Sequence, residues 1–406
     1  MDSEYKKIHY LILLSDALRI ISPISYPGFS LGWLEIISSN LFISNFLENS
    51  PILTKKENVK KYEKYLTLII DLLTYVNNLT SENMNTNYSL AIFMKYLYKF
   101  FLLLVNSYPD FINNYYYLMI ISLSNESKYL QLRNILLSAV PEEINIKLFD
   151  VDDELIYEAQ DRNVISKEGQ KSSDGDVNLG TVYAQLQKPS VTVIEINKVL
   201  EEHKISKLIE EYISDFKAEN SAGEESEDED ENENENESLG KICKILDGLK
   251  EQNEINKFMN GIVVYWGKYH QNLMGVDKIR EKGEFYLFFK ELLENLEVKQ
   301  STSLLNSLFN ALRFPCAQTV SFCFLLVQLF YGINAPEIEA LLLKILVERC
   351  LFAPFPWGVR LLAVKLVEDR RFEGVKRECL DENTRKFLGN VAKRMRTGTM
   401  TNCFSE

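Results

Sequence analysis

The stretch from Leu304 to Phe372 limits what this chain can fold into more than any other. Within it Ile338, Leu341, Leu342, Ile345 and Leu346 recur at i, i+3, i+4, i+7 and i+8, which places five aliphatic side chains on one face of a helix. Pro336 suits the first helical turn, where its missing N–H costs no intrahelical bond. Glu337 and Glu339 lie at the positive end of that helix dipole and Arg349 at the negative end. The helix must stop at Phe352-Ala353-Pro354-Phe355-Pro356, because two prolines break the hydrogen-bond ladder. Trp357-Gly358-Val359 then opens a second apolar run, Leu361 to Val367. Two helices joined by such a corner form an antiparallel pair.

Helical signals continue along the chain, and the scarcity of breakers supports them: 17 Gly and 10 Pro in 406 residues, with 46% hydrophobic content, favour an all-α chain with short turns over a sandwich or barrel. Residues 4–21 place Ile8, Leu11, Leu14, Leu18 and Ile21 on one side. Pro23 and Pro27-Gly28 break that segment, and Leu31–Leu47 follows with Trp33, Leu34, Ile37 and Leu41 as its stripe. Lys56–Val76 and Tyr88–Asn106 are longer helices separated by a polar loop, Asn77–Asn87. Ser107-Tyr108-Pro109-Asp110 reads as a helix start with Ser107 as N-cap. The layout is an N-terminal helical part, 1–150; an irregular connector, 151–190; a helix, 191–216; an acidic insert, 217–238; a C-terminal helical part, 239–396; and a frayed tail, 397–406. Within the C-terminal part Leu239–Leu249 and Ile255–Tyr269 are helices, and Arg377–Arg396 is the last. About fifteen helices with no fixed-period self-similarity predict irregularly stacked antiparallel hairpins.

The formal charge of −13 is local. Ten acids fall between Glu224 and Glu237, and the rest of the chain carries 48 acids against 45 bases. That insert lacks apolar residues, so it is expected to be disordered, a solvated spacer before a mimic of nucleic acid or a ligand for a basic partner. The six cysteines form no CxxC pair and the three histidines are far apart, so no metal site is indicated. Scattered thiols, an N-terminus without a cleavable signal pattern, and apolar runs too short to span a bilayer predict a soluble protein of the cytoplasm or nucleus, with no membrane partner. No catalytic or cofactor-binding motif is found: there is no GxSxG, no HExxH and no phosphate-binding glycine loop.

Several residues have both a structural and a binding reading. Trp357 is either a wedge in the corner or a partner anchor, and its apolar flanks favour the wedge. Gly358 allows a close helix approach, and Pro354 and Pro356 are helix stops. Arg133 and Arg313 follow leucines near helix ends, which favours closing of terminal carbonyls over a phosphate or a partner carboxylate. From Trp357 to Arg396 eleven bases face six acids. Arg370, Arg371, Lys376 and Arg377 could therefore give weak RNA contact, although a solvated helix face is the simpler reading.

Four segments carry a resemblance. These are Tyr26-Pro27-Gly28-Phe29-Ser30-Leu31-Gly32-Trp33-Leu34-Glu35; Tyr108-Pro109-Asp110-Phe111 with Gln131-Leu132-Arg133-Asn134; Leu312-Arg313-Phe314-Pro315; and Leu346-Val347-Glu348-Arg349 followed by Pro354-Phe355-Pro356-Trp357-Gly358. In order and spacing they resemble the C-terminal homology domain of the Not-one scaffold subunit (negative on TATA-less) of the carbon-catabolite-repressor–Not (CCR–Not) deadenylase complex. The chain departs from that pattern at Cys316-Ala317-Gln318-Thr319, where the family has Asn-Ser-His-Thr, and at Phe355, where it has His. The resemblance runs from 23 to 395 and implies one HEAT-like domain spanning both helical parts. It implies a non-catalytic scaffold that docks Not-box subunits and links RNA-bound repressor proteins to deadenylation. The densest matches place that docking on Leu304–Arg396, with the N-terminal half adding surface. The family's scaffold is several times longer, so the chain is expected to be a fragment or a reduced form without the deadenylase dock. An unrelated helical adaptor and a direct RNA binder remain the alternatives.

Overall fold

The computed structural model describes residues 2–51, 53–79, 88–144, 204–222, 237–273, 283–333, 335–374 and 381–396. These residues form α-helices and short 3-10 turns, and no strand occurs among them. They fall into two compact units, Met1–Glu142 and Glu143–Glu406.

Unit 1 holds α1 (Asp2–Ile20), α2 (Ser30–Ile37), α3 (Asn40–Leu47), α4 (Lys55–Asn77), α5 (Tyr88–Ser107), α6 (Pro109–Ile121) and α7 (Leu130–Leu137). α4 packs on α1, α3 and α6, while α5 packs on α2, α6 and α7. α4 begins in a capping box, with Thr54 accepting from the Glu57 N–H and the Glu57 carboxylate accepting in return from the Thr54 N–H. Phe42, Phe46, Tyr65, Phe111 and Tyr115 form a continuous aromatic row, with successive centroids 4.8 to 5.8 Å apart.

Three sequence readings change here. The run Leu31–Leu47 is two helices, because Ser39 leaves the helix and caps α3, accepting from the Phe42 N–H at 3.3 Å. That break resets the helical phase: Phe42, Ile43, Phe46 and Leu47 point inward and Leu41 is exposed. On α1 the buried line is Ile8, Ser15 and Leu18, which leaves Leu14 and Ile21 outside. Ser107 ends α5 instead of capping α6; Tyr108 occupies the cap and Pro109 the first turn, since the residue before a proline avoids helical geometry. α5 is also long and apolar enough to cross a membrane. Lys95 and Lys99 hide this from a search for unbroken apolar runs. In the structure its Leu90, Phe93, Leu97, Phe101 and Leu104 are buried within unit 1.

Unit 2 holds α8 (Ile205–Ala222), α9 (Glu237–Gly248), α10 (Gln252–Leu273), α11 (Glu284–Asn295), α12 (Val298–Asn310), α13 (Ala317–Gly332), α14 (Pro336–Leu351), α15 (Trp357–Glu368) and α16 (Glu382–Arg396). Every helix packs on the one two places further along, from α8 on α10 to α14 on α16. Even-numbered helices therefore form one layer and odd-numbered helices the other, the pattern of stacked HEAT-like hairpins. α8 continues through Ala222, past 216, because Ala218 and Glu219 favour helix. α9 starts at Glu237, and Ser238 is buried with its hydroxyl on Asp215 at 2.8 Å. The edges assigned to the acidic insert, 217–222 and 237–238, are thus helical. The middle of that insert, the connector 151–190 and the tail 397–406 lie outside the described residues. α16 begins at Glu382, where Asp381 accepts from the Thr384 N–H at 2.7 Å.

A buried polar seam crosses the even layer. On α10, Gln252 donates to Asn256 at 3.2 Å and to Ser303 of α12 at 2.7 Å. Asn310 of α12 donates to Asn260 of α10 at 3.1 Å and accepts from Arg349 of α14 at 2.8 Å. Arg349, read from the sequence as lying at the negative end of the helix dipole, is fully buried and also reaches Asn306 at 3.4 Å. Replacing Arg349 by Met leaves the Asn310 acceptor without its charged donor. We expect a loss of about 3 kcal/mol in chemical denaturation; a change under about 1 kcal/mol would mean that the seam contributes little.

Candidate functional site

Most residues singled out by the sequence hold helices together. Trp33 is buried and its indole N–H donates to the Leu18 carbonyl at 2.9 Å, which ties α2 to the end of α1. Arg133 is buried and donates to the Leu123 and Ser124 carbonyls at 3.1 and 2.6 Å, just beyond the end of α6. Burial pushes its pKa down to about 10, so the guanidinium stays charged at neutral pH. Asn134 is buried, and its backbone carbonyl accepts from the Ser138 N–H and hydroxyl. Pro27 and Gly28 lie in an exposed 3-10 turn, and nothing lies within 4 Å of where a Gly28 side chain would begin.

The corner of unit 2 brings two of the motifs together. The Gly358 N–H donates to the Arg313 carbonyl at 2.9 Å, so the first turn of α15 docks on the turn after α12. A Cβ at Gly358 would fall 2.5 Å from Thr319 Cγ2 and 2.8 Å from the Leu312 Cα. Pro315, Pro356 and Trp357 are buried here, Pro354 is half-buried, and the Arg313 guanidinium lies 5.0 Å from the Phe314 ring centre. Cys316 and Thr319, standing where the family has Asn and Thr, are both buried and 3.3 Å apart, and burial raises the Cys316 thiol pKa.

The basic face is less free than its charge count implies. Arg371 is bidentate on Asp369, at 2.7 and 3.0 Å, and its guanidinium lies 4.0 Å from the Tyr331 ring centre. That hydrogen bonding holds the Asp369 carboxyl below its usual pKa. Arg385 donates to the Phe372 carbonyl at 2.7 Å, and Lys386 pairs with Glu382 at 3.4 Å. Arg370 is exposed, whereas Lys376 and Arg377 lie outside the described residues. No group of three or more His, Cys, Asp or Glu side chains suited to a metal ion occurs among the described residues.

Exposed apolar surface is concentrated elsewhere. Of the sixteen large apolar side chains that stand exposed among the described residues, thirteen lie in unit 1 and only Val298, Leu351 and Phe352 in unit 2. Within 304–358 the motif residues Arg313, Pro315, Arg349, Pro356, Trp357 and Gly358 are buried, whereas Pro354 and Phe355 are half-buried. The sequence placed Leu41 on the inner stripe because it judged Leu31–Leu47 by apolar spacing alone, without the cap at Ser39.

A sequence model of the family described as "CCR4-Not complex component, Not1" matches residues 2–164 and 174–386. The chain is 21% identical over 373 residues to "General negative regulator of transcription subunit 1" of Saccharomyces cerevisiae, covering 87% of this chain and 15% of that protein. It is 22% identical over 394 residues to "CCR4-NOT transcription complex subunit let-711" of Caenorhabditis elegans, covering 92% of this chain and 13% of that protein. The chain therefore spans about a seventh of the length of these relatives. Among solved structures, a Not1 C-terminal domain in complex with Not4 aligns with a TM-score of 0.66 and 18% identity, covering 90% of this chain and 66% of that one. The NOT1 superfamily homology domain from Chaetomium thermophilum aligns with a TM-score of 0.70 and 16% identity, covering 96% and 68%. At these identities the structures establish the fold.

Two substitutions test the corner. Trp357→Ala should lower stability by roughly 3–5 kcal/mol, as emptying a buried Trp site does; unchanged denaturation would make Trp357 a surface anchor. Gly358→Ala should cost about 1–3 kcal/mol, because its Cβ meets backbone that cannot swing aside. Gly28→Ala, in open space, should leave the melting temperature unchanged.

Proposed function

The chain belongs to the Not1 family of CCR4-Not complex components, and on that premise we propose that it is a non-catalytic scaffold domain that docks Not subunits of that complex. In this reading it supports deadenylation and decay of mRNA and repression of translation and transcription, in the cytoplasm, the nucleus or both. RNA-bound repressor proteins would reach the deadenylase machinery through it. The observation that carries the proposal is the family match through both helical units. It is supported by the name of a structural relative, a Not1 domain bound to Not4. A helical stack that exposes apolar side chains is a surface which extended or helical partner segments can order upon. Direct RNA binding through the C-terminal basic face is the weaker reading, since Arg371 and Arg385 are engaged by their own chain.

Calorimetry with the Not-box and Not4-type proteins of the same organism tests the proposal. We expect micromolar or tighter binding with a negative heat-capacity change, as apolar surface is buried. Separate elution and no heat, from a chain shown to be folded, would remove the scaffold reading and leave an unrelated helical adaptor.

A further inference from the structure

α1 lies on α4 with a serine in the middle of the contact. Ile8, Ile12, Ser15 and Arg19 follow at i, i+4, i+7 and i+11, one line along the helix. From Lys6 to Ile20 the buried side chains are Ile8, Ser15 and Leu18, while Tyr10, Leu13, Leu14 and Ile20 are 43 to 74% exposed. The Ser15 hydroxyl does not cross to α4. It donates to the Ile12 carbonyl of its own helix at 2.7 Å. The centre of the interface therefore gains neither an apolar side chain nor an interhelical bond from α1.

Charge supplies part of the hold instead. Lys64 of α4 donates to Asp16, and Arg19 lies 3.6 Å from the carboxylate of Asp71 on α4. All four side chains are part-exposed, so dissolved ions screen both pairs. Asp71 also carries a cost: burial raises its carboxyl pKa, and Arg19 offsets only part of that rise. Lys64, Leu68 and Asp71 fall at i, i+4 and i+7 of α4, so the fully buried Leu68 lies between the two pairs, beneath α1. The C-terminal end of α1 is tied by the Trp33 indole on the Leu18 carbonyl. Beyond it the chain passes through residues 24–29, all exposed and including Pro27 and Gly28, before α2 begins. α3 is held differently, by buried Phe42, Ile43, Phe46 and Leu47 and by the buried Lys61 on its last carbonyls.

We propose that α1 is a strap latched by charge, which opens from α4 as one unit about residues 24–29 while α2 to α7 stay folded. Opening uncovers the strip of α4 around Leu68, so ionic strength sets how much apolar surface unit 1 presents. The proposal does not depend on the scaffold reading.

A 19-residue helix released into water is marginal, so its backbone amides exchange hydrogen whenever the strap is open. Hydrogen exchange of the whole chain, followed by mass spectrometry, reads this directly, with the amides of α4 and α6 as the internal reference. Peptides covering 6–12 and 13–20 should exchange at a common rate, at least about tenfold faster than the reference. Raising sodium chloride from about 0.05 to about 0.5 M should speed both α1 peptides about threefold and leave α4 and α6 in place. Asp16→Lys, which sets two lysines against each other, should speed them about threefold to tenfold at low salt and lose the salt acceleration. Asp16→Lys with Lys64→Asp should restore the parent rate. Ser15→Ala should slow both peptides, since it removes a buried hydroxyl that bonds only its own turn. Exchange of α1 in step with α4 would overturn the proposal, since α1 would then open only when unit 1 unfolds. Fast exchange of 6–12 with 13–20 keeping pace with α4 would also overturn it, as fraying of one end. So would a salt response that Asp16→Lys leaves unchanged.

Discussion

Helices joined by short turns leave their last carbonyls without intrahelical donors, and burying those carbonyls unpaired is costly. Unit 1 meets this constraint repeatedly in one way. The ends of α1, α2, α3, α4 and α6 are each closed by a side chain from further along the chain: Trp33 on Leu18, Tyr65 on Ile37, Lys61 on Asn45 and Glu48, Tyr129 on Val76 and Asn77, Arg133 on Leu123 and Ser124. These are long or aromatic side chains that bury an apolar body and deliver a polar tip. Lys61 and Arg133 bring positive charge to the negative end of a helix, and burial lowers the pKa of both. Each bond also fixes register, since sliding one helix along its neighbour would strand both donor and carbonyl.

Unit 2 reaches the same end with side chains on both sides of the bond. Apolar stripes on α10, α12 and α14 could pack in registers one turn apart at little cost. The amides of Asn256, Asn260 and Asn310 cannot, because each needs a donor or acceptor at one height. Arg349 terminates the seam, which explains a fully buried arginine at a position that also suits the helix dipole. Gly358 removes the last obstacle to close packing, with its N–H on Arg313 and no side chain to hold α15 off Leu312.

Where a helix started or stopped on covalent grounds, the sequence was easily read. Pro336 and the Pro354–Pro356 corner bound α14, and α4 and α5 lie within a residue of their expected limits. Reading failed where one hydroxyl or amide decided the outcome. Ser39 is an ordinary polar residue until its oxygen accepts the Phe42 N–H, and that bond splits one expected helix and exposes Leu41. Asn306 and Asn310 interrupt an apolar stripe and look like surface positions until Arg349 supplies the partner that makes their burial affordable. The exposed apolar surface was less legible still, because an exposed leucine and a core leucine have the same letter. Only the packing of α1 on α4 separates Leu14 from Leu18.

Interior bonds and the exposed face are connected over very short distances. Trp33 holds α2 against the end of α1, and Leu31 stands two residues before it, Glu35 two residues after. Lys61 holds the Asn45 and Glu48 carbonyls, which fixes α3 and with it Leu41, four residues before Asn45. Tyr65, through the Ile37 carbonyl, fixes the end of α2 and the turn that leads into α3. Trp33, Arg133 and Asn134, which carry the family resemblance in unit 1 from the interior, are thus not the surface a partner would meet. They set the angle and height of the helices that present it, so a change at Trp33 would act on binding by displacing Leu31 and Glu35 rather than by removing a contact.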